Sequence, residues 1–292
     1  MPGLRRRALF HLATNPAFER AVLAVPAARA HAWRSARRYV AGEHVQDAVG
    51  VARRLDADGI GASIDLFGDG VTDPGLAARV ADAYVQLAGA LSATPPGTWL
   101  SIDLSHIAFD AAHLRRIAAA IPRGRLLQVG AEELEVTDRV LDAVIGTVYD
   151  GLPVAATLQA NLRRSPGDAA RLAAAHVPVR LVKGAYVTPP ADAHPFGPET
   201  DGAYAALARQ LAAGYGDGGR GARLALATHD DALREPLLAD LPDAACELLL
   251  GVRPERAREL AARGRSVRVY VPFGSNWLRY LLRRRAEAQG TG

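Results

Sequence analysis

The chain of 292 residues contains one cysteine, one lysine and no long uninterrupted apolar run. A single cysteine, Cys246, excludes an internal disulfide, so the sequence carries no mark of a secreted protein. Its place in an apolar segment predicts a buried, unreactive thiol. No run approaches the roughly 20 apolar residues of a membrane-spanning helix, and the arginines at 5–7 are followed too soon by polar residues to form a signal peptide. We therefore expect a soluble, cytoplasmic protein.

Several catalytic signatures are absent as well. No GxGxxG follows the first predicted strand, and neither HExxH nor GxSxG occurs, which argues against a dinucleotide-binding fold, a metalloprotease and a serine hydrolase. The histidines lack metal-ligand spacing, so no metal site is expected. The formal charge of +4 is modest and spread along the chain, which gives no reason to expect a nucleic-acid partner. The only lysine, Lys183, lies inside the segment RLVKGAY, and this favours a chemical role for it.

Strand-like segments recur along the chain and alternate with alanine- and leucine-rich segments of helical spacing. The predicted strands cover residues 60–66, 98–104, 124–129, 153–159, 178–183, 223–228, 245–250 and 266–271. Such alternation indicates a parallel sheet covered by helices. Eight repeats favour an α/β fold of the (βα)8 TIM-barrel type over an open doubly wound sheet. We expect an N-terminal helical arm at residues 1–58 and a barrel domain at residues 59–292.

Polar residues stand where the predicted strands end, and barrel active sites lie at those ends. They are Asp65, Asp69, Asp103, His106, Glu132, Gln159, Lys183, Tyr186, Thr228, His229 and Tyr270. The proline-rich segment 188–198 follows one of these ends and is either an active-site rim or an ordinary surface loop.

The segment from 270 to 287, YVPFGSNWLRYLLRRRAE, predicts a strand, a turn and a helix. Helical spacing places Tyr280, Arg283, Arg284 and Glu287 on one face. Adjacent guanidinium groups suit the two oxygens of a small carboxylate, although a lone pair of arginines also fits a solvated helix end. Together with Arg180, Lys183 and His229, these arginines predict a cationic barrel mouth that binds an anionic cofactor, a small acid, or both.

RLVKGAY at 180–186, ATHD at 227–230 and the closing YVPFG…W…Y…RRRAE resemble the proline dehydrogenase family, which comprises flavoenzymes built on a distorted (βα)8 barrel. RRYVAGE, DLFGD and GVRPERARELAARG, which begin at residues 37, 65 and 251, resemble it too. The resemblance covers residues 37–288. It implies a final helix over the barrel mouth and oxidation of L-proline to Δ1-pyrroline-5-carboxylate by hydride transfer to flavin N5.

The resemblance also implies roles for individual residues. Noncovalent FAD is expected on Gln159, Arg180, Lys183, Gly184, Ala185, Thr228 and His229. Arg180 would have a catalytic role beside flavin N5. The substrate set is Arg283 and Arg284 for the carboxylate, Tyr186, Tyr270 and Tyr280 around the ring, and Asp69, Asp103 and Glu287 at the pocket. The family uses quinones as electron acceptors, which implies contact with the inner face of the membrane.

Two positions depart from the family pattern. Asp103 stands where the family has a substrate-contacting lysine, and Gly130 stands where it has an active-site aspartate. We expect Asp103 to make the chain a poorer oxidiser of L-proline than the pattern implies, because its carboxylate would repel that of the substrate. Three other roles stay open for Asp103: a pair with Arg283 or Arg284, binding of a cationic group on a different substrate, and a side chain turned away from the site. The alternatives are oxidation of a related cyclic imino acid, a flavin-binding homologue without turnover, and a non-flavin barrel enzyme acting on a sugar phosphate.

Overall fold

The computed structural model describes residues 16–68, 70–184, 186, 188–216 and 223–288, except for the side chains at 16, 283 and 285–288. Within these residues parallel strands follow one another around a closed barrel. The strands are β1 (Gly61–Leu66), β2 (Thr98–Ile102), β3 (Leu127–Val129), β4 (Val154–Gln159), β5 (Val179–Val182), β6 (Leu224–Ala227), β7 (Ala245–Leu249) and β8 (Val267–Phe273). Each predicted strand is confirmed to within a few residues, and closure of β8 onto β1 excludes the open sheet.

Helices fill the segments before, between and after the strands. They are α1 (Pro16–Ala24), α2 (Pro26–Ala36), α3 (Val45–Ala57), α4 (Pro74–Ala90), α5 (Ala111–Ala119), α6 (Thr137–Tyr149), α7 (Ser165–Ala174), α8 (Pro198–Gly214), α9 (Asp231–Asp240), α10 (Pro254–Ala262) and α11 (Trp277–Ala288). Aspartates fix several starts by accepting hydrogen bonds from the first turn, as Asp73 does from the Leu76 amide at 2.6 Å.

The apolar core lies between the strands and the helices around them. Successive strand residues point to opposite faces, and one set, which includes Ile64, Leu100, Leu181 and Cys246, is buried in a single cluster with apolar helix residues. The expected burial of Cys246 is confirmed, and burial raises the pKa of its thiol to about 11. The other set of strand residues points into the barrel.

The final helix, α11, packs against the N-terminal helices. The rings of Trp33 and Trp277 meet edge to face at 5.0 Å, and Arg279 pairs with Glu19 at 2.6 Å. Meanwhile α3 contacts both β1 and β8 on the outside of the barrel. The barrel is therefore distorted as expected, because α11 leaves the outer ring of helices and is held by α1 and α2.

None of the helices in the described part of the chain combines the length and apolar character needed to span a bilayer.

Candidate active site

The inside of the barrel is lined with polar side chains. The hydroxyls of Ser63 on β1 and Ser101 on β2 are 2.6 Å apart, and the amide of Gln128 on β3 donates to Thr157 on β4 at 3.1 Å. Because strand residues alternate in direction, the residues two positions further along share this inward face. The strand ends therefore project further polar groups toward the mouth.

Arg180 on β5 lies in this interior and is 8% exposed. Its Nε pairs with Glu247 on β7, and its Nη2 donates to Ser63 at 3.2 Å. Glu247 also lies 3.8 Å from the Nε of Arg268 on β8, whose guanidinium stacks over Trp99. Burial lowers the pKa of Arg268 to about 10. One buried carboxylate thus serves two guanidinium groups, one buried and one largely buried, and fixes Arg180 in the barrel.

Three carboxylates, which we call the acidic wall, stand at the ends of the first three strands: Asp65, Asp103 and Glu132. The Tyr270 hydroxyl donates to Oδ2 of Asp65, and the Ser105 amide donates to Glu132 at 2.9 Å. Burial, reinforced by the negative charge of Asp103, raises the pKa values of Asp65 and Glu132 to about 7. These carboxyls therefore repel one another at neutral pH, which is typical of a site arranged for a ligand.

We expect Asp65→Asn to stabilise the protein, and to do so more at alkaline than at acidic pH. The pKa of Asp65 in the folded protein, about 7, lies above its unfolded value, so the folded state holds a proton that the unfolded chain releases. Stability therefore falls as pH rises from about 4 through 7. Asparagine carries no proton to lose, so this fall in stability disappears, and its side-chain oxygen can still accept the hydrogen bond from the Tyr270 hydroxyl. The gain should be about 2 kcal/mol larger near pH 8 than near pH 5, measured by denaturant unfolding at both pH values.

The matched control is Asp243→Asn, because Asp243 is an exposed aspartate far along the chain. It should change the free energy of unfolding by no more than about 0.5 kcal/mol at either pH. A stabilisation by Asp65→Asn that does not depend on pH would contradict the raised pKa.

Aromatic rings join the acidic wall to α11. The ring of Tyr280 on α11 lies 6.4 Å from that of Tyr270 on β8 and 5.1 Å from that of Phe67, just after β1. The guanidinium of Arg284 lies 5.1 Å over the Tyr280 ring, and its charge helps to lower the pKa of His229 after β6. The helix therefore spans from the end of β1 toward the end of β6, over the mouth.

Lys183, at the end of β5, is paired with two aspartates. Its Nζ lies 2.6 Å from Asp201 and 2.9 Å from Asp230, and Asp230 also caps α9 through the Leu233 amide. Burial opposes the charge of the lysine, but the hydrogen bonds and charges of the two aspartates outweigh it and raise the pKa of Lys183. The only lysine of the chain is thus held as a cation at the rim.

His229 is neutral, which corrects the prediction of a cationic histidine. Its Nε2 accepts the Leu249 amide at 3.0 Å, so the proton lies on Nδ1. Burial, with the charges of Arg234, Arg253 and Arg284, lowers its pKa to about 4. Among the described residues Nδ1 is buried and has no hydrogen-bond acceptor. A buried donor of this kind suits an oxygen or nitrogen of a ligand.

Gly184 lies against Asn161, a buried residue that the sequence analysis missed. The backbone of Gly184 has a φ of +148°, and a Cβ at this position would lie 2.2 Å from Oδ1 of Asn161. Within the described part of the chain that Oδ1 is buried without a hydrogen-bond partner. Asn161 can keep this position only because residue 184 has no side chain. The bare backbone at Gly184 can also approach a ligand closely.

Three more of the predicted residues lie at or just after the strand ends. The Gln159 amide donates to the Glu132 carbonyl at 3.1 Å, and Tyr186 donates to the Ala131 carbonyl at 2.9 Å. The Thr228 hydroxyl accepts the Asp230 amide at 3.1 Å. Asp69 and Ala185 lie outside the described residues, as do the side chains of Arg283 and Glu287.

Segment 188–198 is hydrogen-bonded to the end of β4. His194 donates its amide to the Asn161 carbonyl at 2.7 Å, and Arg163 donates its amide to the Asp192 carbonyl at 2.9 Å. This favours the interpretation of the segment as a rim of the site. Over the described ranges, no group of three or more His, Cys, Asp or Glu side chains could hold a metal ion.

Comparison with known proteins identifies relatives of this chain. A model of the family described as proline dehydrogenase matches residues 48–291. Proline dehydrogenase from Deinococcus radiodurans is 32% identical, with 97% of this chain and 94% of the relative covered. Proline dehydrogenase 1 from Bacillus subtilis is 32% identical, with 86% of each covered.

Solved structures share the fold. Proline utilization A from Bdellovibrio bacteriovorus matches with a TM-score of 0.82 at 18% identity over 99% of this chain. Proline utilization A from Bradyrhizobium japonicum matches with a TM-score of 0.71 at 23% identity over 91% of this chain. The chain spans 37% and 32% of the length of these two larger proteins.

Proposed function

The chain belongs to the proline dehydrogenase family, and we propose on this premise that it oxidises L-proline to Δ1-pyrroline-5-carboxylate with noncovalent FAD. The observation that carries the proposal is the position of Arg284 and Tyr280 on α11, above a barrel interior that holds Tyr270 on β8 and Arg180 on β5. A guanidinium beside these rings suits the carboxylate and the apolar ring of a small cyclic acid. The domains we propose are a helical arm at 1–58 and a catalytic barrel at 59–292.

The residues of the mouth fit FAD. The buried Nδ1–H of His229 and the buried Oδ1 of Asn161 offer a donor and an acceptor for which the described residues provide no partner. Gly184 leaves the backbone open beside them. We propose that Gln159, Arg180, Lys183, Gly184, Ala185, Thr228 and His229 hold the cofactor. When bound, FAD supplies the hydride acceptor of the reaction at N5.

The protein's part in the oxidation is positioning and electrostatics. Proline loses a hydride from the ring carbon beside nitrogen and a proton from nitrogen, which leaves a carbon–nitrogen double bond. Arg284 and Arg283 bind the carboxylate, and Tyr186, Tyr270 and Tyr280 enclose the ring. Arg180 presents a fixed positive charge at the reacting end, held there by Glu247 and Ser63. We also propose that Asp69 closes the pocket by pairing with an arginine of the last helix and that Glu287 belongs to the substrate site.

A quinone is the electron acceptor we propose, reached at the inner face of the membrane. This part of the proposal is supported by the family resemblance.

Two measurements test the proposed function. Heat-denatured protein should release a flavin that co-migrates with FAD, and the native protein should reduce an artificial acceptor only when L-proline is added, with a product two hydrogen atoms lighter than proline. Colourless protein that also fails to bind added FAD would refute the flavin assignment. A yellow protein that leaves proline unchanged would refute the reaction.

We expect Gly184→Ala to weaken FAD binding by about tenfold or more, because the new methyl group meets buried Asn161 and the backbone leaves its permitted region. FAD titration of the apoprotein measures the change. Gly197→Ala is the matched control, since Gly197 also has a positive φ, +118°, but no atom lies within 4 Å of its added Cβ. An equal loss of FAD affinity in both variants would show that backbone strain, and not the contact with Asn161, is responsible.

A further inference from the structure

Asp103 and Gly130 occupy one another's space. A Cβ built on Gly130 would lie 1.8 Å from Oδ1 of Asp103. The two segments are fixed together by a 2.9 Å hydrogen bond from the Gly130 amide to the Ile102 carbonyl. Gly130 is not among the glycines with positive φ, so its backbone conformation does not require glycine. Glycine is required here because any side chain at position 130 would take the space of the Asp103 carboxylate.

The direction of the Asp103 side chain follows from the strand pattern. Ser101 points into the barrel, where it contacts Ser63, and Asp103 is two residues further along. Together with burial, which is the larger cause, its negative charge raises the pKa values of Asp65, Glu132 and Tyr270. Asp103 therefore faces the mouth at the centre of the acidic wall.

A buried acceptor in the wall points to a ligand that carries a positive charge or a hydrogen-bond donor. Asp65 is 6% exposed, and its Oδ1 has no hydrogen-bond partner within the described residues. It shares the inward face with Ser63, so it points into the same space as Asp103. Buried carboxylate oxygens at neutral pH require a donor or a cation.

The opposite side of the mouth is cationic. Arg284 lies over the ring of Tyr280, the Tyr280 ring lies 6.4 Å from the Tyr270 ring, and the Tyr270 hydroxyl reaches Asp65. The two tyrosines therefore separate a positive end from a negative end. A zwitterion whose carboxylate and ammonium lie on neighbouring atoms matches this polarity.

We propose that Asp103 is a specificity-determining residue, which Gly130 admits to the mouth so that the acidic wall binds the protonated ring nitrogen of a zwitterionic cyclic amino acid. From sequence alone, Asp103 is expected to repel the carboxylate of the substrate. The geometry points instead to the other end of the same molecule. This inference rests on the proposed function and assigns the recognition of the ring nitrogen to a residue outside the family pattern.

The test compares two ligands that differ only at the ring nitrogen: L-proline and tetrahydrofuran-2-carboxylic acid, whose ring oxygen carries no proton or charge. Binding is measured by calorimetry on anaerobic, flavin-loaded protein reduced with dithionite, so that proline binds without being oxidised. Asp103→Asn keeps the side-chain shape and removes the charge. We expect it to weaken proline binding about tenfold or more, and to leave the ether acid bound as tightly or more tightly.

A double variant tests whether a carboxylate at this place in the mouth is enough, whichever residue carries it. Asp103→Ala combined with Gly130→Asp moves the carboxylate to the neighbouring strand end, in the space that Asp103 occupies. It should restore most of the preference for proline, whereas Asp103→Ala alone should not. Equal changes for both ligands in Asp103→Asn, or no change for either, would overturn the inference and leave the proposed function standing. Failure of the original protein to bind either ligand would overturn both.

Discussion

Glu247→Ala should lower the free energy of unfolding by about 3–5 kcal/mol, the usual cost of removing one partner of a buried ion pair. The reason is that the guanidinium groups of Arg180 and Arg268 would remain inside the barrel without their shared carboxylate. Denaturant unfolding of the flavin-free protein measures the change directly. Glu247→Gln should cost less, because an amide oxygen still accepts one hydrogen bond.

Asp240→Ala is the matched control for this loss. Asp240 also pairs with an arginine, Arg209, at 2.7 Å, but both of these side chains are about half exposed. Solvent screens such a pair, so the change should stay below about 1 kcal/mol. If Glu247→Ala and Asp240→Ala lower the free energy of unfolding by the same amount, the interior of the barrel is not the desolvated environment described above.

Arg284→Ala should weaken the binding of proline, or of a competitive acid analogue, by about 2–5 kcal/mol, as expected when one partner of a desolvated charge pair is removed. Arg284→Lys should also weaken it, because an ammonium group cannot reproduce the two parallel hydrogen bonds of a guanidinium. Both variants should keep the visible spectrum of the flavin, and inhibition constants report the change in affinity.

Arg279 provides the control on the same helix. Its guanidinium pairs with Glu19 of α1, so Arg279→Ala removes the same charge on the side of α11 that packs against the N-terminal helices. Inhibitor affinity should change by no more than about 0.5 kcal/mol. Unchanged affinity in both Arg284 variants would show that α11 does not hold the acid.

The strands and their polar ends could be predicted because the strands are short and apolar on their outer faces, and because β2, β5 and β6 are followed directly by Asp103, Lys183 and Thr228. Lys183 is the clearest case, since the chain has no other lysine. The same logic placed Asp65, Gln159 and Thr228 at the mouth, where the structure has them. Closure of the barrel also followed from eight regular repeats.

Other features depend on contacts between distant segments. Glu247 stands in a run that reads as apolar, and only the opposing strand shows that it pairs with Arg180. Asn161 has no sequence signal apart from its place after a strand end. The neutrality of His229 depends on a hydrogen bond from Leu249. The contact between Asp103 and the space above Gly130 requires the register of β2 against β3.

Alternation inside the strands is the signal that could have revealed the polar interior. In β5 and β8, arginines alternate with valine and leucine, as Arg180 and Arg268 show. Such a pattern predicts one apolar face and one polar face. In a closed barrel the polar face can only be the inside, which is where the structure has both arginines.

The most direct test of proline oxidation is to add L-proline to the purified yellow protein under anaerobic conditions and to follow the visible absorption of the flavin. The flavin should bleach in proportion to the protein present and regain its colour when a quinone is added, whereas D-proline should leave it yellow. A flavin that dithionite bleaches and L-proline does not would contradict the proposed activity, and with it the assignment of the mouth as a proline site.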